Sequence, residues 1–200
     1  MKRPPVVVGI SGASGSLYGV RLIKALIESG TDVMVILSDA AKGVLSHEMG
    51  FDPGSDFIEF MVEYGIAPKD ETRIEVLAQH QMASEPASGS FLHSGMAVCP
   101  CSMKTLSAIA SGFADNLLTR SADVTLKENR PLILVPRETP YSLIHLKNME
   151  QVTLAGGVIL PPNPSFYSFP QTIDALVDTV VARIMDQLKV DHDLMSRWGD

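Results

Sequence analysis

The chain has 200 residues, of which 46% are hydrophobic and 20% are charged, and its formal net charge is −7. This composition is typical of a globular domain rather than a disordered chain, and the acidic balance argues against a nucleic-acid-binding surface. No apolar run reaches the roughly 20 residues that span a bilayer, and the N-terminus, interrupted by prolines and glycines, does not resemble a signal peptide. The two cysteines form no disulfide framework, so we expect a cytoplasmic protein that binds no nucleic acid and has no membrane span.

The first part of the chain predicts a βαβ unit. The β-branched run over 6–10 is typical of a strand that is buried on both faces. A glycine-rich turn over 11–16 follows, and apolar residues at helical spacing from Val20 to Ile27 predict a helix. A second buried strand over 33–37 completes the unit.

The same alternation of strands and helices continues along the chain. Further strands are predicted over 96–99, 132–135 and 158–160, and further helices over 40–48, 102–111, 141–154 and 173–184. Residues 50–80 give no clear assignment. The alternation predicts an α/β fold, a mostly parallel sheet covered on both faces. We expect one domain over 1–200, with the tail over 190–200 in subunit contacts.

Two strand-to-helix junctions are candidate anion sites, because ligands of parallel sheets bind outside the carboxyl ends of the strands. Backbone N–H groups of the turn over 11–16 and of the junction over 99–105 could hold a phosphate. The first turn matches none of the G-x-G-x-x-G, P-loop and G-x-S-x-G patterns, so a plain turn is the alternative. Two such helix starts at one sheet edge favour a phosphorylated ligand.

Charged residues between prolines follow a third strand. Arg137 could bind a phosphate in bidentate fashion and Glu138 could move a proton, the alternative being a surface ion pair. Arg120, Asp123 and Lys127 lie near one helical face, for which solvated ion pairs are the plain interpretation. The histidines and cysteines show no metal-ligand spacing, so we predict no metal site.

As an ordered set, these segments resemble the UbiX-type flavin prenyltransferases over almost the whole chain. The motifs that carry the resemblance are Gly-Ile-Ser-Gly-Ala-Ser-Gly at 9–15, Ser-Gly-Ser-Phe at 88–91, Cys-Pro-Cys-Ser-Met-Lys-Thr-Leu at 99–106, and the motifs at 115–124, 126–132, 135–140, 148–149 and 161–167. The resemblance implies a flavodoxin-like or Rossmann-like three-layer sandwich and a homododecamer. It also implies a metal-independent enzyme that joins the dimethylallyl group of dimethylallyl phosphate to N5 and C6 of reduced FMN. The product, prenylated FMN, would pass to a UbiD-type decarboxylase, often in ubiquinone synthesis.

Site residues follow from the same motifs, residue by residue. The resemblance assigns FMN binding to Gly12, Ala13, Ser14, Ser38, Ser102, Met103, Lys104, Thr105 and Arg120. It assigns the phosphate of the prenyl donor to Lys127, Arg137, Tyr167 and Arg183, and proton transfer to Ser14, Glu48 and Glu138. Two residues depart from the family pattern: Lys104 stands where a small residue is common, and Asn129 replaces a frequent arginine.

Two other functions are compatible with parts of this pattern. An FMN-dependent cysteine decarboxylase would need a catalytic histidine near the second strand, for which His47 is the candidate. A non-catalytic FMN carrier would use the two helix starts, but it leaves Lys127, Arg137 and Arg183 without a purpose.

Overall fold

A computed structural model describes residues 3–66 and 72–195 and shows one six-stranded sheet in which every pairing is parallel. The strands are β1 (Val6–Ile10), β2 (Val33–Leu37), β3 (Ile74–Ala78), β4 (Met96–Cys101), β5 (Leu132–Pro136) and β6 (Val158–Ile159). Their order in the sheet is β3-β2-β1-β4-β5-β6. This is the order of a Rossmann-type sheet, whose switch point lies between β1 and β4.

Helices cover both faces of the sheet. Within the described ranges they are α1 (Ser16–Glu28), α2 (Asp39–Met49), α3 (Phe57–Glu63), α4 (Met103–Ala110), α5 (Leu117–Lys127), α6 (Leu143–Leu154) and α7 (Ile173–Leu188). One core cluster packs α1, α2, α3 and α7 against one face, and a second packs α4, α5 and α6 against the other. The predicted three-layer α/β sandwich is therefore confirmed. No helix in the described part of the chain has the length and apolar character needed to cross a membrane.

Burial explains the composition of the strands. The central strands β1, β2, β4 and β5 are buried at every residue, whereas the edge strands β3 and β6 are partly exposed. A strand with helices on both faces needs apolar side chains in both directions, which is why these segments are continuous apolar runs. Helix α1 approaches β4 closely at Gly19, where an added Cβ would lie 2.3 Å from the carbonyl oxygen of Cys99.

The segment 50–80 is the part of the fold that the sequence does not assign. It contains α3 and β3, while residues 67–71 lie outside the described residues. Helix α3 has only seven residues and β3 has the mixed pattern of an edge strand, with Glu75 exposed. Short elements of mixed polarity give little periodicity. Of the tail predicted to lie in subunit contacts, residues 196–200 are also outside the described residues.

Candidate active site

A cavity of about 630 Å³ opens at the carboxyl edge of the sheet. Gly12, which follows β1, lines it together with the first turns of α2 and α4 and the residues around the start of α5. Its polar lining includes Ser38, Ser102, Thr105, Asn116 and Thr119. Because β1 and β4 flank the switch point of the sheet, the cavity occupies the place where Rossmann-type folds bind their ligands.

Three helix starts meet at this cavity, and each has a side-chain cap. The hydroxyl of Ser38 accepts the N–H of Ala41 at 3.1 Å at the start of α2, and the hydroxyl of Ser102 accepts the N–H of Thr105 at 3.2 Å at the start of α4. Asn116 caps α5 in a reciprocal capping box. A cap satisfies one N–H group of the first turn, and the other first-turn groups have no acceptor within their helix. Together with the helix dipoles they suit an anion.

Of the predicted flavin contacts, Gly12, Ser38, Ser102, Lys104 and Thr105 line this cavity. The structure places the side chains of the neighbouring predicted residues elsewhere: Ala13 is buried, and Met103 packs against the core cluster of α4, α5 and α6. These two residues can contribute only backbone groups to a ligand in the cavity.

The start of α1 already holds an anion from within the chain. The carboxylate of Glu48, near the end of α2, accepts the N–H of Gly15 at 3.0 Å and the N–H of Ser16 at 2.8 Å. Partial burial acts to raise the pKa of Glu48, but hydrogen bonds from the Ser14 hydroxyl and from these backbone groups outweigh it, so the pKa lies below 4.5. The first turn of α1 is thus occupied, and the starts of α2, α4 and α5 are the ones that face the cavity.

Ser14 and Glu48, both predicted to move protons, are therefore in direct contact. Arg137 extends from the end of β5 at the same edge, and its backbone N–H donates to the carbonyl of Cys101 at 3.2 Å. Its side chain passes close to Gly15, where an added Cβ would lie 3.9 Å from Arg137 Cγ. The structure thus brings Arg137 beside the turn that carries the Ser14–Glu48 pair.

Two other predicted residues lie on loops at this edge of the sheet. Glu138 is exposed, and its carboxylate accepts the N–H of Thr139 at 2.9 Å. Tyr167 lies in the proline-rich loop after β6 and is 83% exposed. Both side chains are therefore exposed to solvent in the single chain.

Three predicted cations do not reach the cavity of their own chain. Arg120 turns aside to Asp123, with an Nη1–Oδ2 distance of 2.6 Å, and does not line the cavity. Lys127 ends α5 and pairs with Glu128. Thr119 is the last residue of α5 that lines the cavity. Since an α-helix rises about 1.5 Å per residue, Lys127 lies about 12 Å further along α5.

Like Lys127, Arg183 lies away from the carboxyl edge of the sheet, at which the cavity opens. It pairs with Asp186 at 3.0 Å in the last part of α7, and the carbonyl of Leu188, at the end of that helix, accepts a hydrogen bond from Arg3. Arg3 precedes β1, so this end of α7 lies at the amino edge. One chain therefore does not bring Lys127 and Arg183 together with Arg137.

Sequence reasoning missed several residues that shape the cavity. Asn116 and Thr119 line it, and their spacing of three residues is a capping signature that could have located them. Gln79 also lines it, donates to the Asp39 carboxylate at 2.6 Å and accepts the N–H of Leu117 at 2.7 Å. Gln79 lies in the unassigned segment 50–80, so no local signal pointed to it.

The described residues show neither a metal-binding group nor an accessible thiol. Over 3–66 and 72–195, no three His, Cys, Asp or Glu side chains form a group that could hold a metal ion. Cys99 and Cys101 are fully buried, and burial raises the pKa of both thiols far above its ordinary value. They are therefore core residues rather than nucleophiles.

The fold and the cavity are those of a nucleotide-binding α/β protein, and the family comparison names the class. The family model for flavoproteins matches residues 1–185, so the chain belongs to the flavoprotein family. An FMN-dependent cysteine decarboxylase, TvaF, is 16% identical with a TM-score of 0.58 and shares the fold alone.

Closer relatives narrow the family. The flavin prenyltransferase UbiX of Pseudomonas aeruginosa is 43% identical over 198 residues, which cover 98% of this chain and 94% of the relative. The UbiX of Archaeoglobus fulgidus is 46% identical over 193 residues, with coverage of 96% and 98%. The chain belongs to the UbiX-type flavin prenyltransferases, and the resemblance found in the motifs is confirmed.

Two solved structures agree with this assignment. The crystal structure of AnUbiX (PadA1) in complex with FMN and dimethylallyl pyrophosphate is 39% identical, with a TM-score of 0.86 and coverage of 100% of this chain and 99% of that one. A dodecameric FMN-dependent UbiX-like decarboxylase from Escherichia coli O157:H7 is 38% identical, with a TM-score of 0.83 and coverage of 98% and 100%.

Proposed function

We propose that this protein is a flavin prenyltransferase that transfers a dimethylallyl group from dimethylallyl phosphate, or from its pyrophosphate, to N5 and C6 of reduced FMN. The observation that carries the proposal is the cavity at the switch point, with three capped helix starts, in a chain that matches flavin prenyltransferases along nearly its whole length. Its volume of about 630 Å³ falls within the roughly 300–1,000 Å³ of small-molecule sites.

The lining of the cavity fits a phosphorylated flavin. The hydroxyls of Ser38, Ser102 and Thr105 and the first-turn N–H groups suit a phosphate, and Lys104 adds a positive charge. Leu118 and Phe113 offer apolar surface to a ring. Reduced FMN, when bound, supplies the nucleophile for the prenyl group, and the protein supplies position and charge.

The residues around Arg137 suit the departure of a phosphate. The guanidinium of Arg137 stabilises the negative charge that develops on the leaving oxygens. Glu138 can exchange a proton with the departing phosphate, and the Tyr167 hydroxyl donates a further hydrogen bond. The hydroxyl of Ser14 takes up a proton released in the site and relays it to Glu48. Glu48 is ionised at neutral pH because its pKa lies below 4.5.

A neighbouring subunit completes the phosphate site in this proposal. Lys127 and Arg183 lie toward the amino edge of the sheet in their own subunit, whereas Arg137 lies at the carboxyl edge. Large apolar side chains are exposed on α6 and on the loop after β6, namely Leu143, Ile144, Leu146, Leu154, Phe166, Tyr167 and Phe169. Such exposure marks interaction surfaces. The relative from Escherichia coli is dodecameric. We infer that this chain also forms a homododecamer, in which neighbouring subunits contribute Arg120, Lys127 and Arg183 to the site that contains Arg137.

Mass spectrometry of the flavin tests the reaction. The protein is incubated without oxygen with reduced FMN and dimethylallyl phosphate, or with the pyrophosphate in a parallel sample, and the flavin is then extracted. The expected result is a flavin heavier by one dimethylallyl group, which restores activity to an apo UbiD-type decarboxylase. Glu138→Gln serves as the control that binds both ligands and makes less product. Recovery of unmodified flavin from protein that binds FMN would refute the proposed function.

Mixed oligomers test the shared site. Arg137→Ala and Lys127→Ala chains are each expected to retain at most about a tenth of the parent activity. Their coexpression is expected to raise it to about a quarter, because about a quarter of the sites then have both residues intact. The matched control mixes Arg137→Ala with Glu138→Gln, which belong to the same segment of one chain. No recovery in the first mixture would show that a single chain supplies both residues of each site. Equal recovery in both mixtures would show that the recovery does not come from shared sites, so either result would refute the proposal.

A further inference from the structure

One buried hydroxyl at the end of β1 has no role in the functions described above. Ser11 is 1% exposed and does not line the cavity. Its Oγ donates to the carbonyl of Pro100 at 3.0 Å and accepts the N–H of Ser102 at 2.8 Å. The backbone N–H of Ser11 donates to the same carbonyl at 3.2 Å. Three hydrogen bonds thus join the residue after β1 to the end of β4.

These bonds act directly on the start of α4. Ser102 is the N-cap of α4 and lines the cavity, and its own N–H group is the one that Ser11 accepts. The Ser11 hydroxyl therefore fixes the orientation of the peptide group that begins the helix. The N-cap hydroxyl of Ser102 also donates to Thr105 at 3.0 Å, so the position of Ser102 carries over to the first turn.

The neighbours of Ser11 contact the start of α2 in the same way. The carbonyl of Ile10 accepts the N–H of Ser38, the N-cap of α2, at 3.1 Å. Gly12 lies against the first turn of α2, where an added Cβ would come within 2.5 Å of Ala40 Cβ. Three consecutive residues at the end of β1 therefore contact the N-caps or first turns of both helices.

We propose that Ser11 is a positioning residue that sets the separation of the α2 and α4 starts and so makes the cavity select a flavin with a phosphate over the same flavin without one. The inference rests on the proposed function and deepens it. A phosphate between two helix starts needs N–H groups from both sides at hydrogen-bond distance, and binding geometry of this kind tolerates errors of about 0.5 Å. Without the Ser11 hydroxyl the Ser102 N–H loses its acceptor, and the peptide group can rotate.

The experiment compares FMN with riboflavin, which differ only in the phosphate. Calorimetric titration of Ser11→Ala is expected to show a Kd for FMN about ten- to a hundredfold higher than that of the parent protein, the range for one charge-assisted hydrogen bond. The Kd for riboflavin should change by less than about threefold, since no phosphate contact is involved. Ser11→Thr keeps the hydroxyl and is expected to restore the preference for FMN.

A matched control separates positioning from a general loss of stability. Ser121 is a buried serine on α5, and its hydroxyl has no hydrogen-bond partner among residues 3–66 and 72–195. Ser121→Ala therefore removes the same atom without touching the helix starts. We expect this variant to keep the parent ratio of the two Kd values. Equal weakening of FMN and riboflavin in Ser11→Ala, or an unchanged Kd for FMN, would overturn the inference.

Two further cases need to be distinguished: a Ser11→Ala variant that does not fold, and a parent protein that does not bind FMN. If Ser11→Ala does not fold, Ser11→Cys takes its place, because a thiol has a similar shape but hydrogen-bonds weakly. The same selective loss of FMN affinity is expected in that variant, and a parent-like FMN-to-riboflavin ratio would overturn the inference. If the parent protein binds no FMN, the proposed function itself fails. If the parent protein binds FMN, the ratio of the FMN and riboflavin Kd values in the variants tests the role of Ser11 alone.

Discussion

Replacing Glu48 with alanine removes the carboxylate that caps the start of α1. The helix begins after Gly15, which has a φ of 97° and provides no side-chain cap. The N–H groups of Gly15 and Ser16 donate to Glu48 instead, at 3.0 Å and 2.8 Å. The variant leaves both groups without this acceptor, and water is the only general substitute at an exposed helix end.

The expected loss of stability follows from these contacts. Removal of an N-terminal cap costs about 0.5–2 kcal/mol, and two N–H groups bonded to a charged acceptor place Glu48→Ala at about 1–2 kcal/mol after allowance for its exposure to solvent. In a chain of this size that loss lowers Tm by roughly 2–8 °C. Glu150→Ala is the matched control, because Glu150 is an exposed glutamate on α6, and its Tm should stay within about 1 °C of the parent.

The pH dependence gives this prediction its sharpest test. The folded-state pKa of Glu48 lies below 4.5, its ordinary value, so its stabilisation is complete above pH 4.5. That contribution disappears as the pH falls through the folded pKa, because protonation then favours the unfolded chain. Thermal melts followed by circular dichroism should show a constant gap between parent and Glu48→Ala near neutral pH and a smaller gap below pH 4.5. A gap that is absent at neutral pH, or that persists undiminished in acid, would show that Glu48 does not cap α1 as a carboxylate.

Five other substitutions probe the site and the packing beneath it. Arg137→Ala should keep its affinity for FMN and lose about ten- to a hundredfold in turnover, as expected for one charge-assisted bond to the leaving phosphate; parent-like turnover would exclude that role. Ser102→Glu places a carboxylate at the α4 start and should abolish FMN binding in a fluorescence-quenching titration, while the uncharged Ser102→Gln should bind more tightly than Ser102→Glu. Gly19→Ala would bring a Cβ within 2.3 Å of the Cys99 carbonyl and should destabilise the protein by about 1–3 kcal/mol. At Gly43 the added Cβ would have no atom of the described residues within 4 Å beyond its chain neighbours and the surrounding helix backbone. Gly43→Ala should therefore stabilise the protein by up to about 1 kcal/mol, and a reversed order of the two melting temperatures would contradict the packing argument.

Local patterns explain why much of the fold was predictable. The apolar run over 6–10, the glycine turn and the helical spacing from Val20 to Ile27 each specify their conformation within a few residues, and β1 and α1 form where these patterns predict. Ser102 caps α4 as its place after a buried strand suggests. The edge strand β3 was not predictable, because its buried, exposed and half-buried residues form no continuous apolar run.

Outside residues 50–80, the sequence by itself determined most of the order of elements, the parallel sheet and the set of polar segments at its carboxyl edge, since strands, helices and caps are encoded by neighbouring residues. Only the tertiary structure decided which of these segments meet. Glu48 binds the N–H groups at the start of α1 across 32 and 33 residues of sequence, and Ser11 binds the N-cap of α4 across 91. The same long-range arrangement separates Lys127 from Arg137, because α5 runs away from the edge at which its first turn lines the cavity. Contacts of this kind depend on which elements pack side by side and on the direction of each helix, and no local pattern carries that information.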